Sequence, residues 1–319
     1  MQSAQPRVRI SGESEISDLR FEISQIPVAL LAGGLATRLR PITQAVPKAL
    51  VDVGGRPFID HQLSLLQRHG VRNVVLCLGH LGAQVEEYVG DGSRYDLNIR
   101  YSYDGETLVG TAGALRWALP MLGDVFWVMY GDSYMDIDYR RVLEHFAASS
   151  APSAVVTAEE AHALVGSAPP NIFADGAERA TASTPPNTWA HGTRDVRQSR
   201  TYGPLGLMTV LRNDDQWDHS NVVFEGGRLE CYDKRNRTPA MRYIDYGVQL
   251  LRREALLHLS PGEPADLADI YRDLAAAGRL IGYEVTNRFY EIGTPQSLEE
   301  ARRALGAAGG PHSPARKSA

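Results

Sequence analysis

With 319 residues, 43% of them hydrophobic, the chain has room for one large α/β domain with additions, or for two domains, and enough apolar residues for a real core. A net charge of −5 and a pI near 6.0 argue against the basic surface of a nucleic-acid binder. Two cysteines, Cys77 and Cys231, cannot build a disulfide framework and lack metal-site spacing, and no apolar stretch is long enough to span a bilayer.

In chain order, residues 1–25 are polar and of mixed charge, without the apolar segment of a secretory signal. A loosely attached extension and a cytoplasmic location are expected. From Pro27 strands and helices alternate. Residues 28–32 are a short aliphatic run that reads as a fully buried strand. Residues 57–69 read as a helix: Phe58, Ile59, Leu63, Leu65 and Leu66 form a stripe, and Gly70 stands where helices commonly end in a left-handed residue. Residues 73–78 predict a second buried strand, with Cys77 inside it. There follow a short helix at 84–89, a strand at 99–103 and a helix at 112–119. A buried strand at 125–130 closes on Gly131 and Asp132, and 139–147 is again helical. This alternation predicts a mostly parallel sheet wound on both faces.

The composition then changes. Residues 149–205 are rich in Ala, Ser, Thr, Pro and Gly and keep no period, as in a disordered or peripheral insertion. Beyond it the pattern is β-rich. Residues 207–211 are apolar, 222–224 and 229–232 flank Gly226-Gly227 as a hairpin, and 242–251 is a strand with Gly247 at its centre. Residues 254–259 and 267–277 read as helical, 280–284 and 288–292 as short strands. Thr294 and Pro295 open a last helix, and 306–319 reads as a disordered tail. The expected organisation is one domain over 26–305, its halves 26–148 and 206–305 separated by the insertion.

The chemistry gathers in residues 30–53, LLAGGLATRLRPITQAVPKALVDV. A buried strand opens into Gly33-Gly34, where the backbone can take φ > 0 and come close to a ligand. Thr37, Arg38, Arg40 and Lys48 follow, and amide groups with fixed cations are how a protein holds a polyphosphate. The stretch is neither a P-loop nor the G-x-G-x-x-G dinucleotide fingerprint. It resembles the signature loop of the sugar-1-phosphate nucleotidylyltransferases, roughly G-G-x-G-T-R-L-x-P-x-T...P-K. Ala36 departs from that pattern, standing where the family usually has glycine. If the position needs φ > 0, the alanine costs about 1 kcal/mol or more.

The resemblance implies a Rossmann-like nucleotide-diphospho-sugar transferase fold, a mostly parallel mixed sheet flanked by helices, with a smaller β-rich sugar-binding part. It places Leu31, Ala32, Gly33, Gly34 and Thr37 around an NTP. Gly110 and Thr111 join them from a G-T-A-G-A segment, and Gln84 by its position in the second helix. It gives Arg38, Lys48 and Lys234 to the reacting phosphates, and Asp245, Tyr246 and Gly247 to the sugar. Asp132 ends a strand, where ligands of open α/β sheets gather, and a carboxylate there is a natural Mg²⁺ ligand. Glu291, in YEIGTP, resembles the family's second metal carboxylate with one extra methylene.

The mechanism this implies is in-line attack of a sugar-1-phosphate oxygen on the α-phosphorus of the NTP. The attacking phosphate is largely dianionic near neutrality, with a second pKa of about 6, so no general base is needed. His61, His69 and His80 read as structural or solvated. Two rivals stand beside it. Asp136-Ile137-Asp138 spells the D-x-D of related metal-dependent glycosyltransferases, and Ala36 and Glu291 would also fit a non-catalytic regulatory homologue. The compact length and the IDYG segment resemble the subgroup of heptose-1-phosphate guanylyltransferases and N-acetylmuramate-1-phosphate uridylyltransferases, with a lean to GTP and a heptose or hexose 1-phosphate. No nucleic-acid or membrane partner is expected, and a homo-oligomer joined through the C-terminal half stays open.

Overall fold

The structure, a computed structural model, describes residues 22–105, 108–150 and 203–306. The expected insertion and tail lie outside these residues except at their edges, as does the extension up to residue 21. Residues 22–25, expected as part of a loose extension, instead pack. A short turn, Ile23–Gln25, buries Ile23, and Ser24 O accepts from Asn73 Nδ2 at 3.2 Å.

A nine-stranded sheet forms the centre. β1 (Val28–Leu31) is followed by a small separate ladder of β2 (Asp52–Val53) and β3 (Arg56–Pro57), then by β4 (Asn73–Leu78), β5 (Asn98–Tyr103) and β6 (Val125–Tyr130). β6, β1, β4 and β5 lie side by side and parallel, with Ala29 in register with both Val75 and Val128. After β7 (Ser133–Tyr134) come β8 (Gly206–Arg212), β9 (Val222–Glu225), β10 (Arg228–Tyr232), β11 (Tyr243–Arg252) and β12 (Leu280–Val285). β11 runs antiparallel to both β6 and β8, β12 lies parallel to β8, and the β9–β10 hairpin continues the sheet. The β-rich half is therefore joined to the parallel half through one strand, along Val248 to Arg252.

Helices cover both faces. Val28, Leu30, Val74 and Leu76 point to a core shared with Ile59, Leu63 and Leu66 of α1 (Phe58–Arg68), Val85 of α2 (Gly82–Val89) and Phe146 of α4 (Tyr139–Ser150). Ala29, Val75 and Cys77 point the other way, to Leu115 of α3 (Gly110–Ala118) and Tyr271 of α5 (Leu267–Ala276). Strands buried on both faces must be apolar at every position, which is why they read as continuous runs. Each fully buried aliphatic contributes about 1.5–3 kcal/mol. Gly70, at φ +84°, closes α1 while Val71 N donates to Leu66 O at 3.1 Å, a glycine-dependent stop.

The last described helix supports the signature loop. α6 (Pro295–Gly306) packs Leu298 and Ala301 against Leu39, Val51, Val53 and Phe58. Its first turn is capped by Thr294, whose Oγ1 accepts from Ser297 N at 3.1 Å. Two expectations are corrected. Residues 254–259 give only a short turn, Arg253–Leu256. The strand expected at 288–292 shrinks to β13 (Tyr290–Glu291), which pairs with β7, a strand the sequence pattern did not announce.

Candidate active site

The four parallel strands end at one edge of the sheet, and the loops leaving them enclose a cleft. Leu31, Ala32, Gly33 and Gly34 form one wall. Lys48 and Ala49 come from the returning loop, and Asp104 and Leu108 from beyond β5. Gly110, Thr111 and Ala114 come from α3, and Tyr130, Gly131 and Asp132 from the end of β6.

The glycines act differently from the expectation. Neither Gly33 nor Gly34 has a positive φ. Gly33 permits close approach, since a Cβ there would sit 2.9 Å from Gly79 N. Gly34 would place a Cβ in open space, so it leaves the wall uncovered. The left-handed residue is Ala36 (φ 46°, ψ 42°), at the position where the signature has glycine. Its carbonyl accepts from Thr43 Oγ1 at 2.8 Å and from Leu39 N at 3.1 Å, which holds the strained turn.

The G-T-A-G segment is a clamp as well as a wall. A Cβ on Gly110 would lie 2.5 Å from Ala265 O, and Ala112 N and Gly113 N donate to that oxygen at 3.0 and 3.3 Å. Thr111 Oγ1 donates to Asp266 Oδ1 at 3.0 Å and accepts from Leu267 N at 2.8 Å. The small residues thus let the start of α5 cross the start of α3.

Asp132 owes its place to Gly131. Gly131 N donates to Leu31 O at 2.9 Å, and a Cβ there would come within 2.6 Å of the same oxygen. Fully buried Gln62 of α1 donates to Tyr130 O at 3.1 Å and Ser133 O at 2.8 Å, pinning the turn from the other side. Lys48 Nζ donates to Asp132 Oδ2 at 2.7 Å. Burial pushes the Asp132 carboxyl up, but the Lys48 ammonium outweighs it and holds the group below the usual carboxylate range. The β7–β13 ladder sets Glu291 opposite Ser133, and Ile292 N donates to Asp132 O at 2.9 Å. Burial first, and then the neighbouring Asp132 charge, push the Glu291 carboxyl above its usual range. Two carboxylates share this corner with one lysine. That excess of hard oxygen donors suits Mg²⁺, which takes one or two carboxylates and completes its shell with water and phosphate. Among the described residues no third His, Cys, Asp or Glu completes a metal cluster.

A second cleft adjoins the first. It contains Lys234, Asp245, Tyr246, Gly247 and Glu291 and shares Tyr130 and Asp132 with its neighbour. Asp233 Oδ1 accepts from Arg235 N at 2.7 Å and Asn236 N at 2.9 Å, a tight turn that presents Lys234. Lys234 Nζ lies 3.8 Å from Asp245 Oδ2 and 5.6 Å from the centre of the Tyr130 ring. Gly247, at φ +97°, sits where the β11–β8 register shifts. Asp245 Oδ1 accepts from Gly247 N at 3.0 Å and Gln249 Nε2 at 2.6 Å, while Oδ2 is buried with no hydrogen-bond partner. Burial raises the Asp245 pKa against the pull of Lys234.

Three expected site residues do not line either cleft. Gln84 Nε2 donates to Ala45 O at 3.3 Å, bracing the loop from outside. Thr37 and Arg38 lie on an exposed turn, although the Arg38 charge still acts on Glu291. Asp136 and Asp138 are spent elsewhere: Asp136 accepts from His69 Nε2 at 2.9 Å, and Asp138 Oδ1 caps α4 by accepting from Arg141 N at 3.1 Å. The D-x-D is a helix start. Sequence reasoning passed over Gln62 and Asp104. Asp104 follows a strand just as Asp132 does, so the same signal could have found it. Gln62 is a single polar residue beside the apolar stripe of α1, and its type and spacing carry no such signal.

Comparison with known proteins places these features. The family model described as Nucleotidyl transferase matches residues 28–164. The N-acetylmuramate alpha-1-phosphate uridylyltransferase of Neisseria meningitidis is 29% identical over 279 residues, covering 87% of this chain and 97% of that protein. The mannose-1-phosphate guanylyltransferase catalytic subunit beta of Xenopus tropicalis is 33% identical, covering 84% of this chain and 61% of its own. A solved UDP-glucose pyrophosphorylase from Acinetobacter baumannii superposes with a TM-score of 0.61 at 14% identity, over 89% of this chain and 94% of that one, a likeness of fold.

Proposed function

Because the chain belongs to the nucleotidyl transferase family, we propose that it transfers a nucleotidyl group from an NTP to a sugar 1-phosphate, releasing pyrophosphate and an NDP-sugar. The observation that carries this reading is the shared wall: Tyr130 and Asp132 border both clefts, so a ligand in each would meet at the carboxylate. The NTP occupies the cleft of Gly33, Gly34, Gly110 and Thr111. The sugar 1-phosphate occupies the cleft of Lys234 and Asp245, a heptose or hexose 1-phosphate being what the resemblance implies.

The difficulty is the approach of two polyanions. Lys48 meets the triphosphate from one side, Lys234 holds the sugar phosphate, and Arg38 adds charge from the exposed turn. Asp245 Oδ2, which has no hydrogen-bond partner, accepts from a sugar hydroxyl, which fixes the attacking phosphate in line with the α-phosphorus. The dianionic phosphate is its own nucleophile, so no side chain moves a proton. Asp132 and Glu291 would hold Mg²⁺, which supplies neutralisation of the charge that builds up on the transferring phosphoryl group. A cytoplasmic setting belongs to the same proposal; among the described residues no helix is long and apolar enough to cross a membrane.

The test is pyrophosphate release with each of the four NTPs against a panel of sugar 1-phosphates, with Mg²⁺. Release that needs both substrates is expected. Turnover of NDP-sugars alone, with no pyrophosphate from any pair, would overturn the reading in favour of a glycosyltransferase.

A further inference from the structure

A carboxylate without a partner stands inside the first cleft. Asp104, at the end of β5, is 9% exposed and lines the cleft beside Gly33, Cys77, Leu108 and Ala114. Its backbone N–H is used by Leu78 O at 3.0 Å. Among the described residues no hydrogen bond or ion pair reaches its side chain. Gly33 and Gly79 clear the space around it: a Cβ on either would lie 3.3 Å from Oδ2. Leu31, Cys77, Leu108 and Ala114 give the neighbouring wall an apolar surface, and Leu108, 43% exposed, is free to cover a flat ring. Burial by itself pushes the carboxyl up to about 6, so at neutral pH the group is still ionised and takes only hydrogen-bond donors.

The bases differ in what they offer such a group. Guanine presents two adjacent donors, N1–H and the N2 amine, which match the two oxygens of a carboxylate. Uracil and thymine place one N–H between two carbonyl oxygens. Adenine and cytosine place an amine beside an unprotonated ring nitrogen. A buried carboxylate facing those acceptors would be left unpaired, which is costly. The two relatives compared above are a uridylyl- and a guanylyltransferase, so kinship leaves the base open.

We propose that Asp104 reads the base, its two oxygens accepting from N1–H and the N2 amine of guanine, so that GTP is the preferred nucleotide. This rests on the first cleft being the NTP site. Calorimetric titration of the full chain with GTP, ITP and UTP, with Mg²⁺ present, tests it. ITP is GTP without the N2 amine. GTP is expected to bind about tenfold more tightly than ITP, and about 10²-fold or more above UTP, because a site built for a donor rejects the analogue that lacks it. Asp104→Asn is expected to close the gap between GTP and ITP and to tighten UTP binding, because the unpaired charge is gone and the amide can donate to a uracil carbonyl. Equal affinity for GTP and ITP in the wild-type chain, or UTP bound as tightly as GTP, overturns the proposal, and that comparison needs no variant to fold. A preference unmoved in a folded Asp104→Asn chain overturns it equally. Failure of the functional reading looks different: no NTP then yields pyrophosphate with any sugar 1-phosphate.

Discussion

Removing the charge of Asp104 is expected to stabilise the ligand-free protein at alkaline pH. Burial raises this carboxyl from 3.8 to about 6. The native state therefore binds the proton more tightly than the unfolded chain does. The stability that the group contributes is fully present below pH 3.8 and is lost as the pH rises through about 6. The gap of roughly two units corresponds to about 3 kcal/mol at pH 8, at about 1.4 kcal/mol per unit, and to about half of that at pH 5. The Asp104→Asn substitution keeps the shape of the side chain without its charge, so the variant should gain up to about 3 kcal/mol at pH 8. Urea unfolding reads this directly. With a slope near 3 kcal/mol/M the midpoint should rise by about 1 M at pH 8 and by about half as much at pH 5. Equal midpoints at pH 8, or a gain that does not shrink on acidification, would show that the carboxylate is not an uncompensated buried charge.

Lys48→Ala should lower turnover by about 10³-fold, as loss of a donor aimed at developing charge does. The Lys48–Asp132 pair is partly solvated, its side chains 18% and 34% exposed, so stability should fall by only about 1 kcal/mol. A rate within threefold of wild type in a steady-state assay would remove this lysine from the mechanism. Ala36 sits at φ 46°, so Ala36→Gly should relieve about 1 kcal/mol of strain and Ala36→Val should add about as much again. Urea midpoints in the order Gly, Ala, Val are expected, and no difference between Ala and Val would deny the left-handed turn. Glu291→Gln should raise the Mg²⁺ concentration for half-maximal activity about tenfold, read from a Mg²⁺ titration of the rate. An unchanged titration would take Glu291 out of the metal site.

The long strands, most of the helices and the signature loop were legible in the sequence because each depends on local pattern. VALL, NVVLCL and VFWVMY are apolar throughout because both faces are covered, and their length bounds them as strands. Asp132 was legible because a glycine and a carboxylate follow such a strand. Gly70 and Thr294 announced a helix stop and a helix start by conformational preference alone. What only the tertiary structure decided are the meetings of distant segments. The pairing of β7 with β13, two residues each, brings Glu291 to Asp132, and strands so short leave no period to read. Gln62 pins the Asp132 turn through two backbone carbonyls that no sequence pattern connects to it. Gln84 faces Ala45 rather than the cleft, and the positive φ falls on Ala36 rather than on Gly33 or Gly34. Residue type and spacing determine which conformations a segment can take. Which side chains then face one another is settled by packing the whole sheet, because the energy of that choice lies in contacts between residues far apart in the chain.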